Sequence, residues 1–177
     1  MRKTILLAVF CIIQVSCLNT SSQNKTIPVR EDCLVLNNKL NAAYSNFIQG
    51  YKHLNAEIIS YSYSENALLI NVYYGSEPKS FKGRESIYNF FADTLTLAKQ
   101  QKVSLKIIFK ITDRQLVNET ILDNGYYKLE VSSPNQEKSE RFGKFSIVLI
   151  QELDQWKFSV DTNASSTKEE YQTAQSI

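Results

Sequence analysis

The sequence predicts an α+β domain in which three N-terminal helices pack on a strongly curved, mainly antiparallel sheet. Three observations carry that expectation. Apolar residues recur at three- and four-residue spacing before residue 100 and alternate with polar ones at period two from Val103 onward. Between these regimes, an alternating strand from Ala67 passes through a Gly75-Ser76-Glu77-Pro78 turn into an amphipathic helix that reaches Leu95. Helices first and antiparallel strands afterwards place the helices on one face of the sheet.

Taken in order, Leu36, Leu40, Ala43, Phe47 and Tyr51 form one apolar stripe on a first helix, with Asp32 as its N-cap. Asn55 offers a second cap, and Ile58, Ile59 and Ser62 predict a short helix that closes near Tyr63. Arg84 to Gln100 presents Ile87, Phe90, Phe91, Thr94, Leu95 and Ala98 on one face, which needs a broad apolar partner. Val103, Leu105, Ile107, Phe109 and Ile111 then alternate with less apolar neighbours, as a half-buried strand requires. Three more strands are expected at about Thr120 to Val131, Arg141 to Gln151 and Trp156 to Thr162. They are joined by Ser133-Pro134-Asn135-Gln136 and by a tight turn at Asp154. Gly125 and Gly143 interrupt these strands and predict bulges that help the sheet curl.

The chain has 177 residues, enough for one compact domain with accessory termini. Arg2 and Lys3 precede an apolar run from Ile5 to Ile13 that is too short to cross a bilayer as a helix, so residues 1–17 predict an export signal. Its end, Gln14-Val15-Ser16-Cys17, resembles a bacterial lipobox, and Cys17 is the lipidation candidate. Residues 18–29 are polar and form the expected tether, the domain is expected over 30–163, and 164–177 is expected to fray. Without residues 1–16 the charge falls from +2 to 18 basic against 18 acidic, leaving no excess to neutralise phosphates, so no nucleic-acid partner is expected. Only Cys33 remains in the expected domain, so it holds no internal disulfide there.

Several local patterns occur in a known order. They are Tyr63-Ser64-Glu65-Asn66-Ala67, Gly83-Arg84-Glu85-Ser86-Ile87 with Phe90-Phe91, Gly143-Lys144-Phe145, and Asp154-Gln155-Trp156-Lys157-Phe158. With the element order, they resemble the nuclear transport factor 2-like superfamily, which includes SnoaL-like polyketide cyclases and steroid isomerases, over about Asp32 to Asn163. The resemblance implies a cone-shaped pocket between helices and sheet. In the isomerases of that superfamily a strand carboxylate moves a proton, while a helix tyrosine and a protonated aspartic acid stabilise the oxyanion. Spacing from Tyr63 and Ala67 puts those roles at Asn71, Phe47 and about Ile147, none of which can perform them. The resemblance therefore implies the fold without the isomerase chemistry.

The residues expected to line the pocket are Phe47, Tyr51, Asn71, Tyr73, Tyr88 and Ile147, with Asp161 on the last strand facing either the cavity or solvent. Asn71 can bond a ligand hydroxyl or carbonyl but cannot take up a proton. His53 is the sole histidine and no metal-ligand spacing accompanies it, so neither a metal nor a cofactor is implied. The reading is an exported domain, periplasmic or outer-membrane-anchored through the lipid on Cys17 or alternatively secreted, that is non-catalytic, binds a small apolar or amphipathic molecule and pairs as a homodimer through its outer sheet face. The alternatives are an interaction or scaffold module with a filled interior, and a SnoaL-like cyclase, hydratase or isomerase.

Overall fold

A computed structural model describes residues 31–134 and 136–177, with side chains from Leu40 onward except that of Gln136. The expected export signal, the lipidation candidate Cys17 and the expected tether lie outside the described residues.

The elements are α1 (Glu31–Lys52), α2 (Ala56–Ser60), β1 (Tyr63–Val72), β2 (Lys79–Lys82), α3 (Arg84–Gln100), β3 (Ser104–Val117), β4 (Thr120–Ser133), β5 (Gln136–Glu152), β6 (Gln155–Ser165) and α4 (Lys168–Thr173). The α+β expectation holds, with a corrected helix placement. Two helices precede β1, the third follows the β1–β2 hairpin, and a fourth comes near the C-terminus. The short helix starts where its cap predicts, with the Asn55 side chain accepting bonds from the Glu57 and Ile58 amides. β2 escapes the periodicity argument because its four residues, KSFK, are mostly exposed.

The six strands form one mixed, unclosed sheet in the order β2-β1-β6-β5-β4-β3. β1 runs parallel to β6, and every other pairing is antiparallel. The turn at Asp154 has Leu153 and Asp154 at φ 51° and 60°, the left-handed pair that matches the twist of a two-residue hairpin.

The glycines mark close approaches rather than bulges of their own strands. The bulge lies in β3, where Thr112 falls between the paired Ile111 and Asp113, opposite Gly125 and Asn124 of β4. A Cβ on Gly125 would stand 2.0 Å from the Lys110 carbonyl oxygen. Gly143 pairs regularly with Tyr127, whose ring lies across it, so a Cβ there would meet Tyr127 Cζ at 2.2 Å.

The expected frayed tail is also corrected. β6 continues through Ser165, and α4 opens on a capping box in which the Thr167 hydroxyl accepts the Glu170 amide and the Glu170 carboxylate accepts the Thr167 amide. Tyr171 lies on Phe142 with ring centroids 5.4 Å apart, and Lys110 Nζ donates to the Tyr171 and Ala174 carbonyls at 2.8 and 3.3 Å. The Ser, Thr and Glu content that resembles a disordered tail is here the capping chemistry of a short docked helix.

On the opposite, concave face the core is largely aromatic. Phe47 of α1 stands 5.2 to 6.2 Å, centroid to centroid, from Tyr51, Tyr63, Phe91, Phe109 and Phe158. Tyr44, one turn earlier, adds contacts to Phe109, Phe145 and Phe158. The edge-on contacts among them, Phe47 with Phe91 and Phe109 and Tyr44 with Phe109 and Phe158, add roughly 0.5–1.5 kcal/mol per pair beyond burial. They fill the interior under α1, where the resemblance implies the deep part of a cone.

Candidate functional site

One register row crosses five strands and collects the charges of the concave face. Leu69 of β1 lies opposite Asp161 of β6, which lies opposite Ile147 of β5. Ile147 faces Asp123 of β4, and Asp123 faces Arg114 of β3. Ile147 therefore separates two buried aspartates, Asp161 at 5% exposure and Asp123 at 0%.

These two carboxyls have different surroundings. Asp123 has its own cation: Arg114 Nε and Nη2 donate to its two oxygens, each at 2.7 Å, and the Tyr44 hydroxyl donates to Oδ2 at 2.8 Å. This bidentate arrangement ties α1 to β3 and β4. Burial opposes the charge on Arg114, but the bonds and charge of Asp123 outweigh it and raise the guanidinium pKa.

Asp161 accepts one hydrogen bond from a described residue, from the Tyr63 hydroxyl to Oδ2 at 2.6 Å. Burial pushes its pKa up to about 6, against the downward pull of the Tyr63 bond. Tyr51, Tyr63 and Tyr73 all titrate upward, first through burial, and the charge of Asp161 contributes to each shift. Tyr127 behaves likewise, and its ring and hydroxyl lie over Gly143 of β5. Tyr73, just after β1, is 43% exposed, and the charge of Arg141 also reaches it. Two residues along the strands from Leu69 and Asp161, on the same face, Asn163 Nδ2 donates to Asn71 Oδ1 at 2.6 Å, while Asn163 Oδ1 is buried with no partner among the described residues.

The structure thus brings together Tyr51, Asn71, Tyr73 and Asp161 of the expected pocket residues, with Ile147 beside Asp161 and Phe47 deeper in the ring cluster. Tyr88 stays apart. It is 41% exposed on α3, beside Ile87, which belongs to the buried face with Phe91, Leu95 and Ala98. Sequence reasoning passed over Tyr63, Arg114, Asp123, Tyr127 and Asn163 as site residues. Asp123 carried a usable signal, since it alternates in phase with Ile121, Gly125 and Tyr127 on a strand whose inner face is apolar. Asp161 carried a misleading one. In β6 the register skips Ser159 between Phe158 and Val160, so one extra residue turns both Phe158 and Asp161 inward.

The Asp161 shift has a stability consequence. Its folded pKa of about 6 exceeds the ordinary carboxyl value, so the folded protein holds this proton more tightly than the unfolded chain does. That contribution is complete below about pH 4 and is lost as pH rises through 6. Asp161→Asn keeps an oxygen that can accept from Tyr63 but removes the buried charge. It is expected to stabilise the protein by about 1–3 kcal/mol at pH 7.5 and to flatten the urea midpoint between pH 4 and 6. An unchanged slope would show that Asp161 titrates as an ordinary exposed carboxyl.

Other features lie away from this cluster. A shallow groove of about 350 Å³ lies on the outer sheet face, lined by Thr112, Asn124, Tyr126, Lys144, Ser146 and Thr162 among others. Among the described residues, no group of three or more His, Cys, Asp or Glu side chains is placed to hold a metal ion, and no helix is long and apolar enough to cross a membrane.

Comparison with known proteins adds the fold's relatives. No sequence-family model matches the chain, and no curated protein matches it. Among solved structures it is similar to ActVI-ORFA from Streptomyces coelicolor, with TM-score 0.63 and 12% identity over 75% of this chain and 98% of that one. It is also similar to a nuclear transport factor 2-like protein of unknown function from Shewanella oneidensis, with TM-score 0.56 and 14% identity over 73% and 99% of the two chains. A ketosteroid isomerase-like protein from Erwinia carotovora gives TM-score 0.53 and 8% identity over 73% and 95%. The chain has the nuclear transport factor 2-like fold. At these identities the likeness describes architecture, and function has to be argued from the side chains.

Proposed function

We propose that the mouth of the concave face binds a small amphipathic molecule, its apolar part against the tyrosine rings and its polar part at Asp161. The observation that carries this reading is the buried Asp161 carboxyl, which accepts the Tyr63 hydroxyl, has no salt-bridge cation among the described residues, and acts by its charge on Tyr51, Tyr73 and Tyr127. Asn163 Oδ1, on the same face of β6, is buried with no partner among the described residues, a cost that a ligand donor relieves. The exported, Cys17-anchored localisation and the homodimer belong to the same proposal. Half-buried Leu68, Leu122, Val148 and Val160, aligned across the outer sheet face, support the pairing.

A second reading has its own observation. A carboxyl with pKa about 6, bonded to a tyrosine, suits general acid–base work near neutral pH, as in a SnoaL-like cyclase, hydratase or isomerase. This acid lies on β6, not at the β1 position that Asn71 occupies.

Native mass spectrometry of the protein purified from its source cells tests the binding reading. A retained small mass, released on denaturation and absent from a Tyr73→Ala, Asp161→Asn double variant, is the expected result. A clean protein that shows no adduct even after incubation with source-cell extract counts against binding and favours a scaffold with a filled interior. A retained molecule that leaves chemically altered favours the enzyme.

A further inference from the structure

The two buried aspartates of the register row are a comparison built into one fold. Asp123 is enclosed with a guanidinium on both oxygens. Asp161, two strands away on the same face and only 5% exposed, has one tyrosine hydroxyl and no salt-bridge partner among the described residues. Buried carboxylates are held by a paired cation or a metal, and an unpaired one is open to receive either. No second or third carboxylate, histidine or cysteine is clustered here to complete a metal site. Tyrosines are its neighbours instead: Tyr63 bonds it directly through its hydroxyl, and its charge acts on Tyr44, Tyr51, Tyr73 and Tyr127. The negative faces of such rings, together with a carboxylate, attract a positively charged nitrogen bearing carbon substituents.

We infer that the ligand of the concave face carries an alkylammonium group that pairs with Asp161 inside the ring of Tyr51, Tyr63, Tyr73 and Tyr127. The inference rests on the binding reading above and names the chemistry of its polar end. Tyr63 bonds Asp161, Leu69 and Ile147 lie opposite it in register, and its charge acts on Tyr44, Tyr51, Tyr73 and Tyr127. None of these brings a positive charge. Arg141 of β5 acts on Tyr73 and is itself exposed. Such a cation would neutralise the carboxylate without a protein partner, which explains why one aspartate of the row has an arginine and the other has none.

Calorimetric titration of the full chain with two probe pairs tests this. Choline is compared with dimethylbutanol, its uncharged carbon isostere, and butylammonium with butanol. At least one cation is expected to bind about tenfold or more tightly than its uncharged counterpart at pH 7.5. That preference should disappear in Asp161→Asn, shrink in Tyr73→Ala, and weaken as pH falls through 6 while the protein stays folded by circular dichroism. Uncharged probes that bind as well as the cations, or a preference that survives Asp161→Asn, overturn the inference while leaving a small-molecule site in place. Failure of all four probes overturns it too. The adduct experiment on source-purified protein then decides separately whether the site binds anything, and a neutral or anionic adduct there would also refute the cation.

Discussion

Arg114→Leu is expected to lower the unfolding free energy by about 3–5 kcal/mol, because it strands Asp123 inside the sheet without a cation. The Asp123 side chain has no exposed surface and Arg114 retains 14%, so water cannot replace the lost bonds. The Tyr44 hydroxyl at 2.8 Å would remain as a single neutral donor where a bidentate guanidinium had been. One hydrogen bond of that kind is worth about 1 kcal/mol net, well short of the desolvation it would have to offset. For a domain of this size the loss corresponds to roughly 10 °C in Tm. A shift in the urea midpoint at constant slope would identify it as a stability effect. Removing the whole cluster, as Tyr44→Phe, Arg114→Leu and Asp123→Leu together, should recover most of the loss, since the cost lies in breaking the pair. A single Arg114→Leu variant within about 0.5 kcal/mol of the parent would refute the buried pair, because changes of that size are typical of surface sites.

This cluster also shows where sequence reading reaches its limit. Long-period signals were legible. The stripe through Leu40, Ala43 and Phe47 and the face through Ile87, Phe91 and Leu95 both project buried residues, since a helix keeps its phase over several turns. The alternation through Ile107, Phe109 and Ile111 likewise describes the face that β3 turns to the rings of α1. Strand phase is more fragile. A single extra residue near Ser159 reverses which side Asp161 faces, and nothing local in Phe158-Ser159-Val160-Asp161 signals it. Pairings across strands are less legible again. Arg114 meets Asp123 because the turn between Val117 and Thr120 sets their register, the bulge at Thr112 brings Arg114 onto the face of Phe109 and Ile111, and Tyr44 joins them across a sequence separation of 79. The C-terminal segment was misread for another reason. Six residues of helix leave too little periodicity to count, and the information lay in the Thr167 and Glu170 capping pair.

Phe47→Ala is expected to cost about 3–5 kcal/mol and to leave an apolar cavity at the junction of α1, α3 and the sheet. Phe47 is 5% exposed and meets five other rings, which α1, β1, α3, β3 and β6 supply, so no single element can move to fill the vacancy. It also stands where the isomerases carry a tyrosine, which makes the variant informative about function. If the rings fill the interior, the cavity is new, and benzene added in excess should bind it and recover part of the lost stability, as small apolar ligands do in dry engineered cavities. Binding at the mouth, measured with the same titration as for the parent, should change little, because Asp161 and Tyr73 keep their strands. A loss below about 1 kcal/mol would mean that Phe47 already borders open space, which would extend the ligand site from the tyrosine mouth into the depth of the concave face.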